Sequence, residues 1–395
     1  MLQMNHTTDL LDLNNMNVTK LEKSSDTITL YVEKNRETLA CPTCGTLTDN
    51  IHDYRIQTVK DLPIQGKHVI WKYRKRRYRC PLCGKRFTET YYLLPKGHQI
   101  TNRTALYAMT LLTQKCSRKD IAETLNVSES TMTRFLKLCE FGKPSLLPEV
   151  ISIDEFKGNT NHTKFHGILT DPVSKKILDI TPDNNENHLY NYLKEFPNRK
   201  DVKYFVSDMH KEYITMAQSL FPNATIVIDK FHVARYCTWA FENVRKRIQK
   251  SLSPEFRKYF KHSRKLLLMH SYDLTPERMN QVAKMLRINK ELADAYLLKE
   301  KFYAFMDSKN SKEAKEKLKE FFLFEAVAGL SEFKACITML TNWEKYILNA
   351  FDCGYSNGFT EGCNNTIKVI KRTGYGYRNF ECFRNRILMV MNKAS

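Results

Sequence analysis

Short apolar runs separated by turn residues occupy the middle of the chain, and this pattern predicts a sheet with helices between its strands. Three consecutive strands are expected at 149–156, 164–170 and 176–181, and two more at 202–207 and 224–229. The apolar spacing between and after them is helical, with helices expected at 188–196, 212–220 and from 233 to about 250. The predicted order is therefore β-β-β-α-β-α-β-α.

The segments before and after this sheet differ from it in composition and in the periodicity of their apolar residues. Residues 253–350 are helix-periodic and rich in Lys and Glu, and they lack strand patterns, which predicts an all-helical insertion. Residues 351–395 contain Gly/Asn-rich loops and one more predicted helix. Residues 1–40 contain one predicted strand, at 28–33.

A helical hairpin is predicted just before the sheet, between residues 117 and 137. Ile121, Ala122 and Leu125 form the apolar face of its first helix, and Ser128 can cap a second helix. Any short helical hairpin can imitate a helix-turn-helix, but in a basic chain the motif indicates DNA binding. The second helix leaves a set of side chains available to a DNA groove: Ser130, Thr131, Thr133, Arg134 and Lys137.

Two Cys-x-x-Cys motifs, each followed by Gly, lie near the start of the chain and are separated by 35 residues. Four thiolates in two such pairs are typical of tetrahedral zinc, and the glycines let backbone amides turn toward the sulfurs. A redox pair or four unrelated thiols are the alternatives, and duplication of the motif favours a structural zinc ion. The predicted zinc ligands are Cys41, Cys44, Cys80 and Cys83.

The charge of the chain favours a polyanionic partner. Lys and Arg number 63 against 43 Asp and Glu, which gives a net charge of +20. Seven basic residues lie within 67–79, where aromatic residues alternate with them in a strand-like pattern. We expect this strand to contact phosphates, although a solvated basic strand would look the same. The proposed contacts are Lys72, Arg74, Lys75, Arg76, Arg77 and Arg79.

Composition also bears on location. The eleven cysteines are odd in number and unevenly spread, which is typical of reduced thiols. No run of the sequence has the length and apolarity of a membrane span, and the first residues do not resemble a signal peptide. The expectation is a cytoplasmic, nucleoid-associated protein.

Acidic residues follow the strands that should lie at the centre of the sheet. Asp154 ends the first strand and Asp208 follows the fourth, so the two carboxylates should meet and repel unless a cation lies between them. Glu361 is the candidate for a third carboxylate, with Asn365 one turn away on the same predicted helix. Two Mg²⁺ or Mn²⁺ ions at such a site can support phosphodiester chemistry.

Two other acids compete for these roles. Glu155 follows Asp154, but side chains alternate across a strand, so only one of the two should face the metals. Asp229 precedes His232 by three residues and is either a metal ligand or half of a buried Asp–His pair, of which we favour the second.

Taken together, these motifs resemble the bacterial insertion-sequence transposases of the ISL-three family. The resemblance extends from about Cys41 to the end of the chain. Its motifs are the two zinc knuckles, the helix-turn-helix, Ile153-Asp-Glu-Phe156, Ser207-Asp-Met-His210, Asp229-Lys-Phe-His232 and Thr360-Glu-Gly-Cys-Asn-Asn-Thr-Ile-Lys368 with Lys371-Arg372.

The resemblance implies a multidomain α+β protein with a ribonuclease-H-like catalytic domain, whose Asp-Asp-Glu triad is Asp154, Asp208 and Glu361. It implies binding of terminal inverted repeats, divalent-metal-dependent cleavage of the element's ends and their joining to target DNA. Lys368, Lys371 and Arg372 would contact DNA, while Asp229 and His232 match a motif usually given a structural role. A homodimer on DNA is expected because two ends must be held together.

The expected domains are a zinc module at 1–95, a helix-turn-helix at 96–148, a catalytic core at 149–252 and 351–395, and the helical insertion at 253–350. Two alternatives remain open. One is a DNA-binding regulator that kept the fold without the reaction. The other is a ribonuclease-H-like nuclease that cuts structured nucleic acid without strand transfer.

Overall fold

The computed structural model describes residues 11–392, apart from the side chain of Tyr259, and the chain forms two compact units. One unit contains the chain up to Phe141 together with the chain from Ile367 onward, and the other contains Gly142–Thr366. The second unit is therefore inserted in the sequence of the first.

The first unit begins with a five-stranded sheet in the order β1-β2-β6-β5, with β7 paired to β6. Its strands are β1 Met16–Lys23, β2 Thr27–Lys34, β5 Ile51–Ile64, β6 Lys67–Arg79 and β7 Arg86–Thr88, while β3 Leu39–Ala40 and β4 Leu47–Thr48 form a separate pair. The predicted strands at 28–33 and 67–79 are confirmed. Leu30, Trp71 and Tyr73 lie in the core of this sheet because alternate residues of β2 and β6 face inward.

Three helices follow the sheet: α1 Asn102–Leu112, α2 Arg118–Thr124 and α3 Glu129–Leu138. The predicted helix-turn-helix is confirmed in α2 and α3. Asn126 has a φ of 51° in the turn, and the hydroxyl of Ser128 accepts a hydrogen bond from the amide of Thr131 at the start of α3. The buried Asp61 on β5 accepts hydrogen bonds from Thr101 and Arg103, which connects this sheet to α1.

The second unit contains a five-stranded sheet in the order β10-β9-β8-β11-β12. Its strands are β8 Val150–Thr160, β9 Thr163–Asp171, β10 Lys176–Ile180, β11 Tyr204–Ser207 and β12 Thr225–Ile228. The first three pair antiparallel, and β8, β11 and β12 pair in parallel. The connecting helices are α4 Glu186–Lys194, α5 Lys211–Leu220 and α6 Lys230–Ser251. All eight elements predicted from the apolar pattern are present, with boundaries moved by a few residues.

Both faces of this sheet are covered. Ile151, Ile153 and Phe205 belong to the large core of the unit, whereas Val150 and Val206 point to the opposite face. The rest of the unit is helical from residue 254 to residue 353, apart from short connections. These helices are α7 Pro254–His262, α8 Arg264–Leu268, α9 Pro276–Ile288, α10 Lys290–Met306, α11 Ser311–Ala328 and α12 Lys334–Cys353. No helix in the described chain is long and apolar enough to cross a membrane.

Two helices follow: α13 Gly358–Thr373 and α14 Phe380–Met391. The sequence pattern predicted one helix here and placed residues 351–395 in the catalytic core, whereas α14 packs on the helix-turn-helix. The buried guanidinium of Arg386 donates hydrogen bonds to the carbonyls of Leu112, Gln114 and Cys116 after α1. Asn385 donates to the carbonyl of Leu136 on α3. The end of the chain therefore completes the first unit, because it satisfies carbonyls at the ends of α1 and α3.

Candidate functional site

Asp154 lies on β8, and Asp208 is the residue directly after the neighbouring strand β11. Val206 on β11 pairs in parallel with Ser152 on β8, so the same register two residues later sets Asp208 beside Asp154. Neighbouring strands lie about 4.8 Å apart, and residues in register on parallel strands point to the same face. The sequence expectation that these two carboxylates meet at the centre of the sheet agrees with this register.

Asp154 is buried and Asp208 is half-buried, and the pKa of each carboxyl group is raised. Burial raises the pKa of Asp154 to about 6, and the Asp208 carboxylate beside it acts in the same direction. Partial burial also raises the pKa of Asp208, while His232 and His210 oppose this rise. Neighbouring acids with raised pKa values are a frequent property of catalytic or metal-binding positions.

The amino-terminal half of α13 lies on β8 and β9 through buried hydroxyl and amide groups. Ser152 donates a hydrogen bond to the side-chain oxygen of Asn357. Thr360 donates to Ser152 at 3.1 Å and also pairs with Thr170 at 2.7 Å. Asn364 donates from its Nδ2 to Oδ2 of Asp154 at 2.9 Å. These contacts fix α13 against the face of the sheet that carries Asp154.

Glu361 lies on this helix and is half-buried. It precedes Asn364 by three residues, and side chains at this spacing are neighbours on one face of a helix. Asn365, which the sequence analysis selected as an auxiliary residue, is exposed. The contact to Asp154 is instead made by Asn364, which the sequence analysis missed.

The three predicted triad carboxylates are not gathered as tightly as ligands around one ion. Across residues 11–392, the four cysteines of the zinc knuckles form the one group of three or more potential ligands whose donor atoms all lie within 4.8 Å of one another. Glu155 was set aside from the sequence, yet its carboxylate raises the pKa of both Asp154 and Asp208. Its Oε2 accepts a hydrogen bond from Asn184.

Two atoms near the aspartates suit a cation. Oδ1 of Asp208 and Oδ1 of Asn364 are buried and have no hydrogen-bond partner among the described residues. A buried acceptor without a donor costs free energy, which a bound cation would offset. The oxygen ligands of Asp154, Asp208 and Asn364 therefore fit a hard divalent ion.

Asp229 and His232 form a pair at the start of α6. Nδ1 of His232 lies 3.5 Å from Oδ2 of Asp229, and this carboxylate raises the pKa of His232, as do Asp208 and Asp154. Oδ1 of the buried Asp229 accepts a hydrogen bond from the amide of Asn357. These contacts hold the residues just before α13 against β12, and they favour the structural role for Asp229.

The two zinc knuckles meet in the first unit. The Sγ atom of Cys44 lies 3.5 Å from the Sγ atoms of both Cys80 and Cys83. The Sγ atom of Cys41 lies 3.6 Å from that of Cys83. Four sulfurs about 2.3 Å from a tetrahedral zinc ion would lie about 3.8 Å from one another. The cysteines are thus placed for a structural zinc ion.

The basic strand β6 has its charges partly neutralised. Arg74 lies 3.8 Å above the ring of Tyr54 and 3.3 Å from Glu33, and Arg77 pairs with Asp53 at 2.9 Å. Lys72 and Lys75 donate to side chains of β5, and Arg79 is exposed.

Arg76 requires a correction, because it is buried rather than turned toward a phosphate. Its guanidinium lies 3.7 Å from Glu33 and 3.6 Å from the buried Glu89, and it also donates to the carbonyl of Lys34. Arg76 therefore stabilises the sheet.

The helix-turn-helix side chains that were predicted to contact DNA are also partly exposed and partly buried. Ser130, Arg134 and Lys137 are exposed on α3, and Thr133 is half-buried. Thr131 is buried, and its hydroxyl lies 2.9 Å from that of Ser128, so its predicted role in DNA contact is replaced by one at the helix cap. On α13, Lys368 and Arg372 are exposed and Lys371 is half-buried.

Comparison with known proteins identifies the family. Residues 151–387 match a transposase family, residues 37–83 match the zinc-finger of transposase IS204/IS1001/IS1096/IS1165, and residues 91–137 match the helix-turn-helix domain of transposase family ISL3. The chain belongs to the ISL3 family of transposases. The family has a DNA-binding helix-turn-helix and a zinc ribbon, which support DNA binding and a structural zinc ion in this transposase.

Individual relatives agree with this assignment. The chain is 25% identical over 371 residues to the transposase for insertion sequence element IS1001 of Bordetella parapertussis, covering 92% of this chain and 91% of the relative. A short stretch of 55 residues is 46% identical to an ATP-dependent protease of Lactococcus lactis subsp. lactis, covering 13% of this chain and 18% of that protein. The family match over residues 151–387 carries the assignment to a transposase family.

Proposed function

We propose that the protein binds the terminal inverted repeats of its insertion sequence and catalyses cleavage and strand transfer through Asp154, Asp208 and Glu361. The observation that carries this proposal is the placement of the buried Asp154 on β8 and of Asp208 at the end of the parallel neighbour β11, with α13 bonded to Asp154 through Asn364. Glu361 lies one turn before that contact, which supports it as the third carboxylate.

We further propose that the catalytic domain is ribonuclease-H-like. The sheet order β10-β9-β8-β11-β12 and the predicted β-β-β-α-β-α-β-α succession support this assignment. Helices α7 to α12 then form an insertion between α6 and the helix that bears Glu361. The domain boundaries proposed from the sequence are kept up to residue 366, and the segment after it is assigned to the DNA-binding unit.

Asp154, Asp208 and Glu361 would hold two divalent ions, Mg²⁺ or Mn²⁺, with Asn364 fixing the orientation of Asp154. Such ions lower the pKa of bound water and stabilise charge on the oxygens of a phosphodiester. The chain itself contributes the position of the carboxylates, and the buried surroundings of Asp154 and Asp208 limit competing access of bulk water.

The reaction class is two successive displacements at phosphorus. In the first, a water oxygen bonds to the phosphorus at the element boundary, the bond to the 3′ oxygen breaks, and a 3′ hydroxyl results. In the second, that hydroxyl bonds to a phosphorus of target DNA, and the 3′ oxygen of the target leaves. In each step one P–O bond forms and one breaks, and the oxidation state of phosphorus does not change, so no oxidant or reductant is required.

DNA recognition is proposed for the first unit. Exposed Arg134 and Lys137 on α3 are suited to the groove and the phosphates, and exposed Arg79, Lys368 and Arg372 to the phosphates. A homodimer on DNA, acting in the cytoplasm on nucleoid DNA, completes the proposal, because two ends of one element must be joined in a single event.

The test uses the purified full chain and linear DNA that contains the gene with about a few hundred flanking base pairs, enough for many contact sites. Wild type, Asp154→Asn and Glu361→Gln are compared with Mg²⁺ and with chelator, and cut ends are mapped. Metal-dependent cuts at the edges of an inverted repeat, absent in both variants, are expected.

Glu155→Gln is the matched control for the third carboxylate. It should retain cleavage, and loss of cleavage in Glu155→Gln with activity in Glu361→Gln would transfer that role to Glu155. Protection of the repeats without any cut by the wild type would instead favour a regulator, and cutting without joined products would favour a nuclease.

A further inference from the structure

A groove lies along α6 on the side that begins at the catalytic site. It has a volume of about 610 Å³ and is lined by residues of α6, α7 and α8. We call it the α6 groove. Its lining includes Phe231, Arg235, Trp239, Lys246, Lys261 and Arg264. All of them belong to the second unit.

Two aromatic rings in this groove are exposed to solvent. The side chain of Trp239 is 69% exposed and that of Phe231 is 52% exposed. They are separated by eight residues, with Arg235 halfway between them, so the three side chains form one stripe along the helix. By contrast, Trp71 is fully buried. A large exposed ring in a concave surface indicates a binding position.

The groove is also strongly cationic. Arg235, Lys246 and Lys261 have no ion-pair partner among the residues that the structure describes. Arg245 and Arg264 share the single carboxylate of the lining, that of Glu242, at 2.7 Å each. Five basic side chains against one acid attract an anion, and the uncompensated ones can release counterions from phosphates.

The groove starts at the candidate active site. Helix α6 begins directly after Asp229, and the ring of Phe231 lies 5.8 Å from that of His232, whose pKa responds to Asp208 and Asp154. At 1.5 Å per residue, Trp239 lies about 12 Å along the helix from Phe231.

We propose that the α6 groove binds an unpaired segment of a DNA strand next to the cleaved phosphodiester, with one base stacked on Trp239. Arg235, Lys246 and Lys261 would contact its phosphates. An indole can stack only on a base whose face is free, so the arrangement suits a single strand rather than an intact duplex. This inference rests on the proposed function, since it assumes that the neighbouring acids cut DNA.

The test measures binding of a fluorescent dT oligonucleotide of about 12 nucleotides, within the 4–16 that a single site spans. A duplex of the same length is the second probe, and chelator is present so that no cleavage occurs. The full chain is compared with Trp239→Leu, which removes the ring, and Trp239→Phe, which keeps an aromatic face. Tyr272→Leu, which removes a 71% exposed ring outside the groove, is the matched control.

Trp239→Leu should weaken binding of the single strand by about tenfold, with Trp239→Phe and Tyr272→Leu close to wild type. Duplex binding should change little. Arg235→Gln and Lys246→Gln should each reduce the salt dependence of single-strand binding by about one phosphate contact, whereas Lys284→Gln on α9 should not.

Equal binding of the single strand by wild type and Trp239→Leu would overturn the proposal. Loss in the Arg235 and Lys246 variants without loss in Trp239→Leu would also overturn it, since the groove would then bind a phosphate backbone alone. A wild type that binds through Trp239 but never cuts DNA would refute the proposed function while leaving the groove as a single-strand site.

Discussion

Removing the charge of Asp154 should make the metal-free protein more stable, although it removes a proposed catalytic group. In Asp154→Asn, the side-chain oxygen can still accept the hydrogen bond that the amide of Glu155 donates at 2.7 Å. The new amide nitrogen would face Asn364, whose Oδ1 is buried and has no partner in the described chain. A rotation of the Asn364 amide would let that oxygen accept the new hydrogen bond, in exchange for the 3.3 Å hydrogen bond that Nδ2 donates to the carbonyl of Glu155.

The magnitude follows from the pKa of Asp154. Burial raises it from an ordinary value of 3.8 to about 6. The native state therefore binds a proton more tightly than the unfolded state. When Asp154 is ionised in both states, the free energy of unfolding is lower by about 3 kcal/mol than when it is protonated in both. Because the folded pKa is the higher one, this stability is present below about pH 4 and is lost as the pH rises through about 6.

The assay is urea unfolding of wild type and Asp154→Asn in chelator at a series of pH values. We expect the two proteins to be similar at about pH 4, and the variant to be more stable by up to about 3 kcal/mol at about pH 8. Added Mg²⁺ or Mn²⁺ should raise the stability of the wild type above that of the variant, because the metal binds the native carboxylate.

Asp352→Asn is the matched control. Hydrogen bonds from Ser311 lower the pKa of Asp352, which is the opposite direction, so its substitution should give no gain in stability at high pH. A stability difference between wild type and Asp154→Asn that does not change with pH would refute the reasoning, because it would have to come from packing or hydrogen bonding.

Three further predictions concern other contacts. Asn364→Ala should slow DNA cleavage by about 10–100-fold without weakening repeat binding, because Asp154 loses the group that orients it; an equal loss in Asn365→Ala would contradict this. Elemental analysis should find one zinc ion per chain in the wild type and none in Cys44→Ser. The control variant Cys116→Ser should keep its zinc. Zinc retained in Cys44→Ser would exclude the four-cysteine site. Arg386→Met leaves three carbonyls without their donor. It should lower the free energy of unfolding by about 2–4 kcal/mol and weaken repeat binding, whereas substitution of the exposed Arg378 by Met should do neither. Equal unfolding curves for the two variants would show that these hydrogen bonds contribute little.

The sheet of the second unit could be predicted because its information is local. The apolar alternation around Ile153 and the turn residues after each strand identify the elements, and the order of elements constrains which strands are central. The meeting of Asp154 and Asp208 then follows from parallel pairing. Nothing beyond the sequence of about one hundred residues is needed for that inference.

Other features depend on contacts that a local pattern does not contain. Side chains at three and four residues from Glu361 lie on nearly the same helix face, so periodicity could not choose between Asn364 and Asn365. The choice is made by the contacts of Asn357 and Thr360 with the sheet, which set the rotation of α13.

The prediction that Arg76 contacts a phosphate was wrong for a related reason. Inward-facing positions on β6 are odd-numbered through Tyr73 and even-numbered from Arg76 onward. The alternation therefore changes phase inside one strand, and a strict period of two places Arg76 on the wrong face. The identity of the acids around it, the half-buried Glu33 and the buried Glu89, depends on strand pairing far along the chain.

The position of α14 has a consequence for synthesis of the protein. The hydrogen bonds of Arg386 and Asn385 close the helical part of the first unit, yet these residues are translated only after the whole of the inserted second unit. A chain that stops anywhere inside the inserted second unit lacks this closure, however complete its zinc knuckles and helix-turn-helix are. Premature fragments should therefore be poor competitors for the ends of the element, and each molecule that reaches full DNA-binding strength already carries Asp154, Asp208 and Glu361.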